Sequence, residues 1–69
     1  MKLSARNVIK GKVQSVKLGA TTAHVRIAIG KDVIVTASIT NEAVRELRLR
    51  RGDTAYAVIK ASDVMVGKD

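Results

Sequence analysis

The sequence predicts an all-β domain, a five-stranded OB-like Greek-key barrel with one short helix at about residues 41–48. Short runs of alternating apolar and polar residues are separated by glycine-containing turn signals, as in the strands of a small barrel. The apolar residues, 46% of the chain, are mostly Val, Ile and Ala, and Tyr56 is the one aromatic residue. This composition favours thin, closely packed strands. A chain of 69 residues holds a single domain, residues 1–69.

The clearest strands form a predicted β-hairpin in the first half of the chain. Apolar side chains occupy every second position of residues 22–29 and therefore share one face. Residues 33–39 alternate in the same way after a tight turn that contains Gly30. Two alternating runs joined by a short glycine turn are typical of a hairpin.

Three further segments have strand character. Residues 8–16 form the first predicted strand, which Gly11 interrupts, and residues 54–60 form the fourth. A short fifth strand is predicted at residues 64–66. Together with the hairpin, these segments supply the five strands of the expected barrel.

The predicted helix lies between the third and fourth strands. Ala43, Val44 and Leu47 recur at helical spacing. Thr40 precedes them as a residue type that caps helix N-termini. Arg45, near the end of the segment, suits the negative end of the helix dipole.

Composition excludes several kinds of site and membrane insertion. The chain has no Cys and a single His, which rules out a disulfide framework and a zinc finger built on Cys and His. No apolar run approaches the roughly 18 residues that span a bilayer, and no signal-peptide core follows Met1, so we expect a soluble, cytoplasmic protein. So small a chain buries only about 60% of its unfolded surface, and self-association is the expected source of further stability.

Catalysis is not expected from this sequence. A nucleophilic site needs an activated Cys, Ser or Lys beside a base, and His24 is the only imidazole. The carboxylates are scattered, mostly through turns and the helix, without the spacing of an acid/base pair or of a hard-cation site. No glycine-rich phosphate loop is present. We therefore predict a binding protein that has no catalytic cofactor.

The net charge predicts an anionic partner. Thirteen Lys and Arg against six Asp and Glu give a formal charge of +7, which attracts nucleic acid, acidic lipid or small oxyanions. One candidate is a nucleic-acid-binding OB module that uses the basic cluster between Arg45 and Arg51. OB barrels that hold single strands stack bases on aromatic side chains, and this chain offers Tyr56 alone. Nucleic acid is therefore the alternative rather than the favoured partner.

A second candidate is a set of hydrogen-bond donors. Ser4-Ala5-Arg6 opens the chain, Lys60-Ala61-Ser62 follows the fourth strand, and Thr40 lies at the predicted helix start. These residues offer hydroxyl, guanidinium, ammonium and backbone N–H donors. Such donors suit a fully deprotonated tetrahedral dianion, which accepts hydrogen bonds at every oxygen and donates none. Arg6 can give paired, charge-assisted hydrogen bonds, and Lys60 a compact charge.

Three segments carry a resemblance to a known family. They are residues 1–13, which open with Met-Lys-Leu-Ser-Ala-Arg-Asn, residues 39–47 and residues 57–66. The sequence resembles the molbindins from end to end, and through them the wider family of transport-associated OB (TOBE) domains. The resemblance implies an OB-like barrel that binds molybdate or tungstate for intracellular storage, buffering and homeostasis of molybdenum.

The resemblance also implies an assembly and its sites. Stand-alone molbindins assemble as hexamers, trimers of dimers, that hold oxyanions between subunits with no direct bond from protein to metal. The main oxyanion site would be lined by Ser4, Ala5, Arg6, Lys60 and Ser62, with Thr40 from a neighbouring subunit. A second site, near a threefold axis, would involve Gly19, Ala20 and Thr22. The arginines between Arg48 and Arg51 make this chain more basic than the family pattern.

Overall fold

The computed structural model describes all residues, Met1–Asp69. Its elements in chain order are β1 (Asn7–Leu18), β2 (Thr22–Gly30), β3 (Val33–Thr40), α1 (Asn41–Leu47), β4 (Thr54–Ile59) and a single 3-10 turn (Ala61–Asp63). The four strands form one antiparallel sheet in the order β3-β2-β1-β4. Three consecutive strands followed by a fourth beside the first are the strand order of a Greek key.

The predicted hairpin is confirmed as β2 and β3. The two strands pair from Thr22 with Thr40 to Gly30 with Val33. The turn between them places Asp32 in the left-handed region, at a φ of 59°. Asp tolerates this left-handed conformation better than most residues do.

β1 is longer than its sequence pattern indicated, because Gly11 lies inside the strand and does not interrupt it. A Cβ on Gly11 would lie 2.5 Å from the carbonyl oxygen of Ala28 in β2. Glycine therefore allows the two backbones to approach closely and lets β1 pair with β2 on one edge and β4 on the other. An irregularity between Val13 and Ser15 shifts the register with β2 and helps the sheet to curl.

The core is small and consists of aliphatic side chains from the strands and the helix. Only 7 of the 69 residues are buried, so most of the apolar side chains keep some surface that solvent or another chain can reach. The buried apolar residues are Val13, Ala23, Val25, Ile27, Val44 and Ala57. The predicted alternation is confirmed in β2, whose three buried side chains are the inward-facing ones.

Helix α1 matches its prediction to within a residue. The backbone N–H of Ala43 donates to the side-chain oxygen of Thr40 at 3.0 Å, so Thr40 is the N-cap. Arg48 ends the helix in the left-handed conformation, at a φ of 52°. Val44 points into the core, which anchors the helix against the sheet. No helix in the structure has the length and hydrophobicity that crossing a bilayer requires.

The predicted fifth strand at residues 64–66 is wrong for this chain. After β4 the chain forms the 3-10 turn, with Asp63 N–H donating to Lys60 O at 2.9 Å, and then leaves the sheet without pairing. Met65 and Val66 are each 93% exposed. Because no strand lies between β3 and β4, the single chain is a curled four-stranded sheet rather than a closed barrel.

The unpaired edges of β3 and β4 border an apolar groove. The groove has a volume of about 710 Å³, and side chains from both strands and from α1 line it, among them Val35, Ile39, Leu47 and Ile59. It lies where a fifth strand would complete a small barrel. The amino-acid pattern of residues 64–66 is that of a strand, but pairing needs an edge that the local sequence does not specify.

Candidate oxyanion site

Two of the predicted donor segments leave the sheet side by side. Asn7 begins β1 and pairs with Ile59 at the end of β4. The side-chain amide of Asn7 also donates to the carbonyl oxygen of Ile59 at 3.2 Å, which ties the two strand ends together. Residues 4–6 directly precede this junction and residues 60–62 directly follow it, so the structure brings Ser4, Ala5, Arg6, Lys60 and Ser62 to one end of the sheet.

The junction is rich in free donors. The backbone N–H groups of residues 4–6 and 60–62 donate to no acceptor within the chain. The side chains of Ser4, Arg6, Lys60 and Ser62 are exposed. Groups of this kind, close together and unpaired, can together bind an anion. Asp63 is the single carboxylate next to this cluster in the chain.

Thr40 lies elsewhere in the chain. It ends β3 and pairs with Thr22, at the end of the sheet where β1 finishes with Leu18. The first donor segment lies beside Asn7, at the opposite end of the twelve-residue β1. Within one copy, therefore, Thr40 does not join the cluster around Arg6.

The start of α1 offers fewer donors than its sequence suggested. The N–H of Ala43 is taken by the Thr40 side chain, and the N–H of Asn41 donates to Thr21 O at 2.9 Å. The Thr40 hydroxyl accepts in the cap, and its own proton stays available to a ligand. Thr40 can thus contribute a hydroxyl donor, while two N–H groups at the helix start already donate hydrogen bonds within the chain.

The second predicted cluster is a compact loop beside Thr40. Gly19 N–H donates to Thr22 O at 2.7 Å, which closes the turn between β1 and β2. The N–H groups of Ala20 and Thr21 have no acceptor in the chain. The structure therefore brings Gly19, Ala20 and Thr22 together, and it places them with Thr40 rather than with Arg6.

Asn41 holds this loop and was not identified from the sequence. Its side-chain amide donates to Gly19 O at 3.0 Å, and the residue is buried at 8% exposure. Its Oδ1 is buried without a hydrogen-bond partner. An Asn directly after a helix N-cap gives no signal of such a long-range contact, which spans 22 residues of chain.

The arginine cluster is exposed and lies apart from both donor clusters in the chain. Arg45, Arg48, Arg50 and Arg51 occupy the last turn of α1 and the connection to β4. The Arg50 N–H donates to the carboxylate of Asp53 at 3.0 Å, which orders the connection. Guanidinium groups here suit the helix C-terminus. No group of three or more His, Asp or Glu side chains is arranged to hold a metal ion.

The profile of the TOBE domain family matches residues 3–66. The chain belongs to this family. A relative from Haemophilus influenzae, named probable molybdenum-pterin-binding protein, is 49% identical over 67 residues, which are 97% of each chain. The curated relatives of this TOBE domain thus include proteins of nearly the same length that are named for binding molybdenum-pterin.

Solved structures show the same fold. A molybdate-binding protein from Sporomusa ovata superposes with a TM-score of 0.91 at 32% identity, over 99% of this chain and all of the other. The cytoplasmic molybdate-binding protein ModG, solved with molybdate bound, superposes with a TM-score of 0.89 at 45% identity, over 94% of this chain and 46% of the other. The curled sheet with one short helix is therefore a fold used by molybdate-binding proteins.

Proposed function

We propose that this TOBE domain binds molybdate or tungstate at the interfaces between its copies and serves to store and buffer the oxyanion in the cytoplasm. The observation that carries the proposal is the junction at Asn7 and Ile59. It assembles six free backbone N–H groups from residues 4–6 and 60–62 with exposed cationic and hydroxyl side chains. The relatives named for molybdenum or molybdate supply the ligand class.

The donor chemistry favours a fully deprotonated ion. Molybdate and tungstate accept hydrogen bonds at all four oxygens and present no proton of their own near neutral pH. Phosphate keeps a proton part of the time and would need an acceptor in the site. The guanidinium of Arg6 binds two oxygens at once, and the ammonium of Lys60 adds charge without fixing direction.

The proposed site needs more than one copy of the chain. Thr40 lies at the far end of the sheet from Arg6, so the set in which Thr40 joins Ser4, Arg6, Lys60 and Ser62 forms only across subunits. The single chain also leaves large apolar surfaces uncovered, namely the groove between β3 and β4 and the exposed tail at residues 64–66. Both features support an oligomer, which we propose is a hexamer built as a trimer of dimers.

Storage follows from the kind of bonding. Hydrogen bonds and charge hold the ion without a covalent bond from protein to metal, so the ion leaves unchanged when its free concentration falls. The arrangement includes no nucleophile and base pair, and we propose no reaction and no catalytic cofactor. The second cluster, Gly19, Ala20 and Thr22, is proposed as a further oxyanion site near a threefold axis.

Native mass spectrometry with and without molybdate tests assembly and ligand together. We expect a hexamer that gains integral numbers of oxyanions and gains fewer with sulfate, whose shorter bonds place its oxygens out of reach of some donors. A monomer that retains its strand content, or an oligomer that takes up no molybdate, would refute the proposal.

Nucleic-acid binding through the arginine cluster is the second candidate. Its support is the exposure of Arg45, Arg48, Arg50 and Arg51, which lie close together in the chain. Tyr56, the one aromatic residue, is 48% exposed and lies on β4, so no platform of several aromatic rings is available for stacked bases. The oxyanion site has the stronger structural support.

A further inference from the structure

A row of polar side chains crosses three strands close to the second cluster. Lys17 of β1 pairs with His24 of β2, and His24 pairs with Ser38 of β3. Their neighbours Ala23 and Val25 are buried, and successive side chains of a strand point to opposite faces. Lys17, His24 and Ser38 are therefore on the outer face, where all three are exposed.

Every charged or titratable group around His24 on this face is cationic. On β2 the same-face neighbours of His24 are Thr22 and Arg26, on β1 the partner is Lys17, and on β3 it is Ser38. None of the six Asp and Glu lies in any strand. The acidic residues nearest to His24 along the chain are Asp32, in the turn between β2 and β3, and Glu42, in the first turn of α1, and both are exposed.

The row borders a cavity that the loop also lines. This cavity has a volume of about 250 Å³ and is lined by Lys17, Leu18, Gly19, Thr22 and His24. The loop beside it carries the N–H groups of Ala20 and Thr21, which have no acceptor in the chain. Two basic side chains thus line the recess, and free backbone donors lie in the loop beside it.

We propose that Lys17 and His24 supply the charge of this recess, that it takes a tetrahedral oxyanion, and that the ion binds more tightly when His24 is protonated. The inference rests on the proposed function in that Gly19, Ala20 and Thr22 are the second oxyanion site there. It adds two residues that carry the charge and a dependence on pH. The first cluster has no histidine among its residues, so we expect no such pH dependence there.

Anion binding and protonation of His24 are coupled for a physical reason. An imidazole gains a proton, a positive charge and a second N–H donor in the range of about pH 5–8. An anion in the recess then receives one more charged hydrogen bond. Linkage is reciprocal, so an oxyanion that prefers protonated His24 must also raise the pH at which the imidazole loses its proton.

The imidazole itself reports the effect, because His24 is the only histidine in the chain. We expect its proton NMR titration midpoint to rise on addition of sulfate or molybdate. A tenfold preference for the protonated form corresponds to a rise of about one pH unit at saturation. By calorimetry, the class of site at this recess should bind sulfate about tenfold more tightly at about pH 6 than at about pH 8.

Variants separate this recess from the first cluster. His24→Gln keeps a polar side chain that never becomes charged, and it should abolish the pH dependence. Lys17→Gln should weaken the same class of site at every pH. Lys10 lies nearer the start of β1, opposite Tyr56, and Lys10→Gln removes the same charge from the strand. This control should change neither the affinity of the recess nor its pH dependence.

Each outcome distinguishes the inference from the proposed function. Molybdate binding that is independent of pH, with no response of the His24 signal and no effect of Lys17→Gln, overturns the inference and leaves the main site intact. A sulfate-dependent rise of the His24 midpoint in a protein that binds no molybdate supports the inference and refutes the proposed function. An equal response in Lys10→Gln and Lys17→Gln would show general attraction by net charge, which also overturns it.

Discussion

Replacing Arg6 with alanine removes one guanidinium from the junction where β1 begins and β4 ends. A hydrogen bond to a charged group contributes about 1.5–3 kcal/mol, and a planar guanidinium can make two of them to one oxyanion. Alanine leaves space that water can fill, and water replaces part of the lost hydrogen bonding, so we take the lower part of the range for a single such bond. We expect a loss of about 1.5–2 kcal/mol, which is roughly a tenfold to thirtyfold increase in Kd.

Three further substitutions test whether the loss of affinity is specific to Arg6. Lys60→Ala should weaken binding less than Arg6→Ala, because an ammonium gives a point charge without a fixed pair of donors. Thr40→Ala should also weaken molybdate binding less than Arg6→Ala does. It should, however, make the affinities for molybdate and sulfate more alike, because the Thr40 hydroxyl helps to set where the oxygens of the ion lie. Lys31 lies in the exposed turn between β2 and β3, far from the junction in sequence. The Lys31→Ala variant loses the same charge and should bind molybdate normally.

Isothermal titration with molybdate, tungstate, sulfate and phosphate measures these effects. Circular dichroism and sedimentation of each variant show whether fold and assembly are retained. Normal molybdate binding by Arg6→Ala would place the site elsewhere in the molecule. Equal losses in Arg6→Ala and Lys31→Ala would show that net charge, rather than the junction, governs affinity.

Three further predictions test other parts of the molecule. Gly11→Ala should destabilise the fold by about 1–3 kcal/mol in urea unfolding, because its Cβ would meet a β2 carbonyl oxygen at 2.5 Å; unchanged stability would disprove the close approach. Replacing Arg48, Arg50 and Arg51 with Gln should leave molybdate binding intact, whereas a steep loss of oligonucleotide affinity and of its salt dependence would favour the nucleic-acid alternative. Deleting residues 64–69 removes the exposed apolar tail and should lower the sedimentation coefficient of the assembly; an unchanged oligomer would show that the tail is not at an interface.

Local patterns were sufficient for the hairpin, the helix and the position of the donor segments. The hairpin depends on alternation within each strand and on a tight turn that includes Asp32, all of which are short-range features. The helix depends on Thr40 and on apolar spacing within α1. Residue type marks Ser4, Arg6, Lys60 and Ser62 as hydrogen-bond donors that suit an anion, and the resemblance to the molbindins implies that they form one site.

The fifth strand could not be decided in this way. Residues 64–66 have the apolar character of a strand, but a strand exists only when an edge pairs with it. In this chain residues 64–66 follow the 3-10 turn at Ala61–Asp63, pair with no strand and are exposed. Thr40 is a similar case, because only the strand order shows that it lies at the opposite end of the sheet from Arg6.

The outer row of Lys17, His24 and Ser38 depends on a detail that alternation alone would have predicted incorrectly. Counting by twos from the inward Val13 would turn Lys17 toward the core. The irregularity between Val13 and Ser15 inserts one residue, so Val16 faces inward opposite Val25 and Lys17 faces outward opposite His24. Sequence by itself determined which side chains are available. Tertiary pairing decided which face they share, because a shift of one residue moves every later side chain to the other side of the sheet.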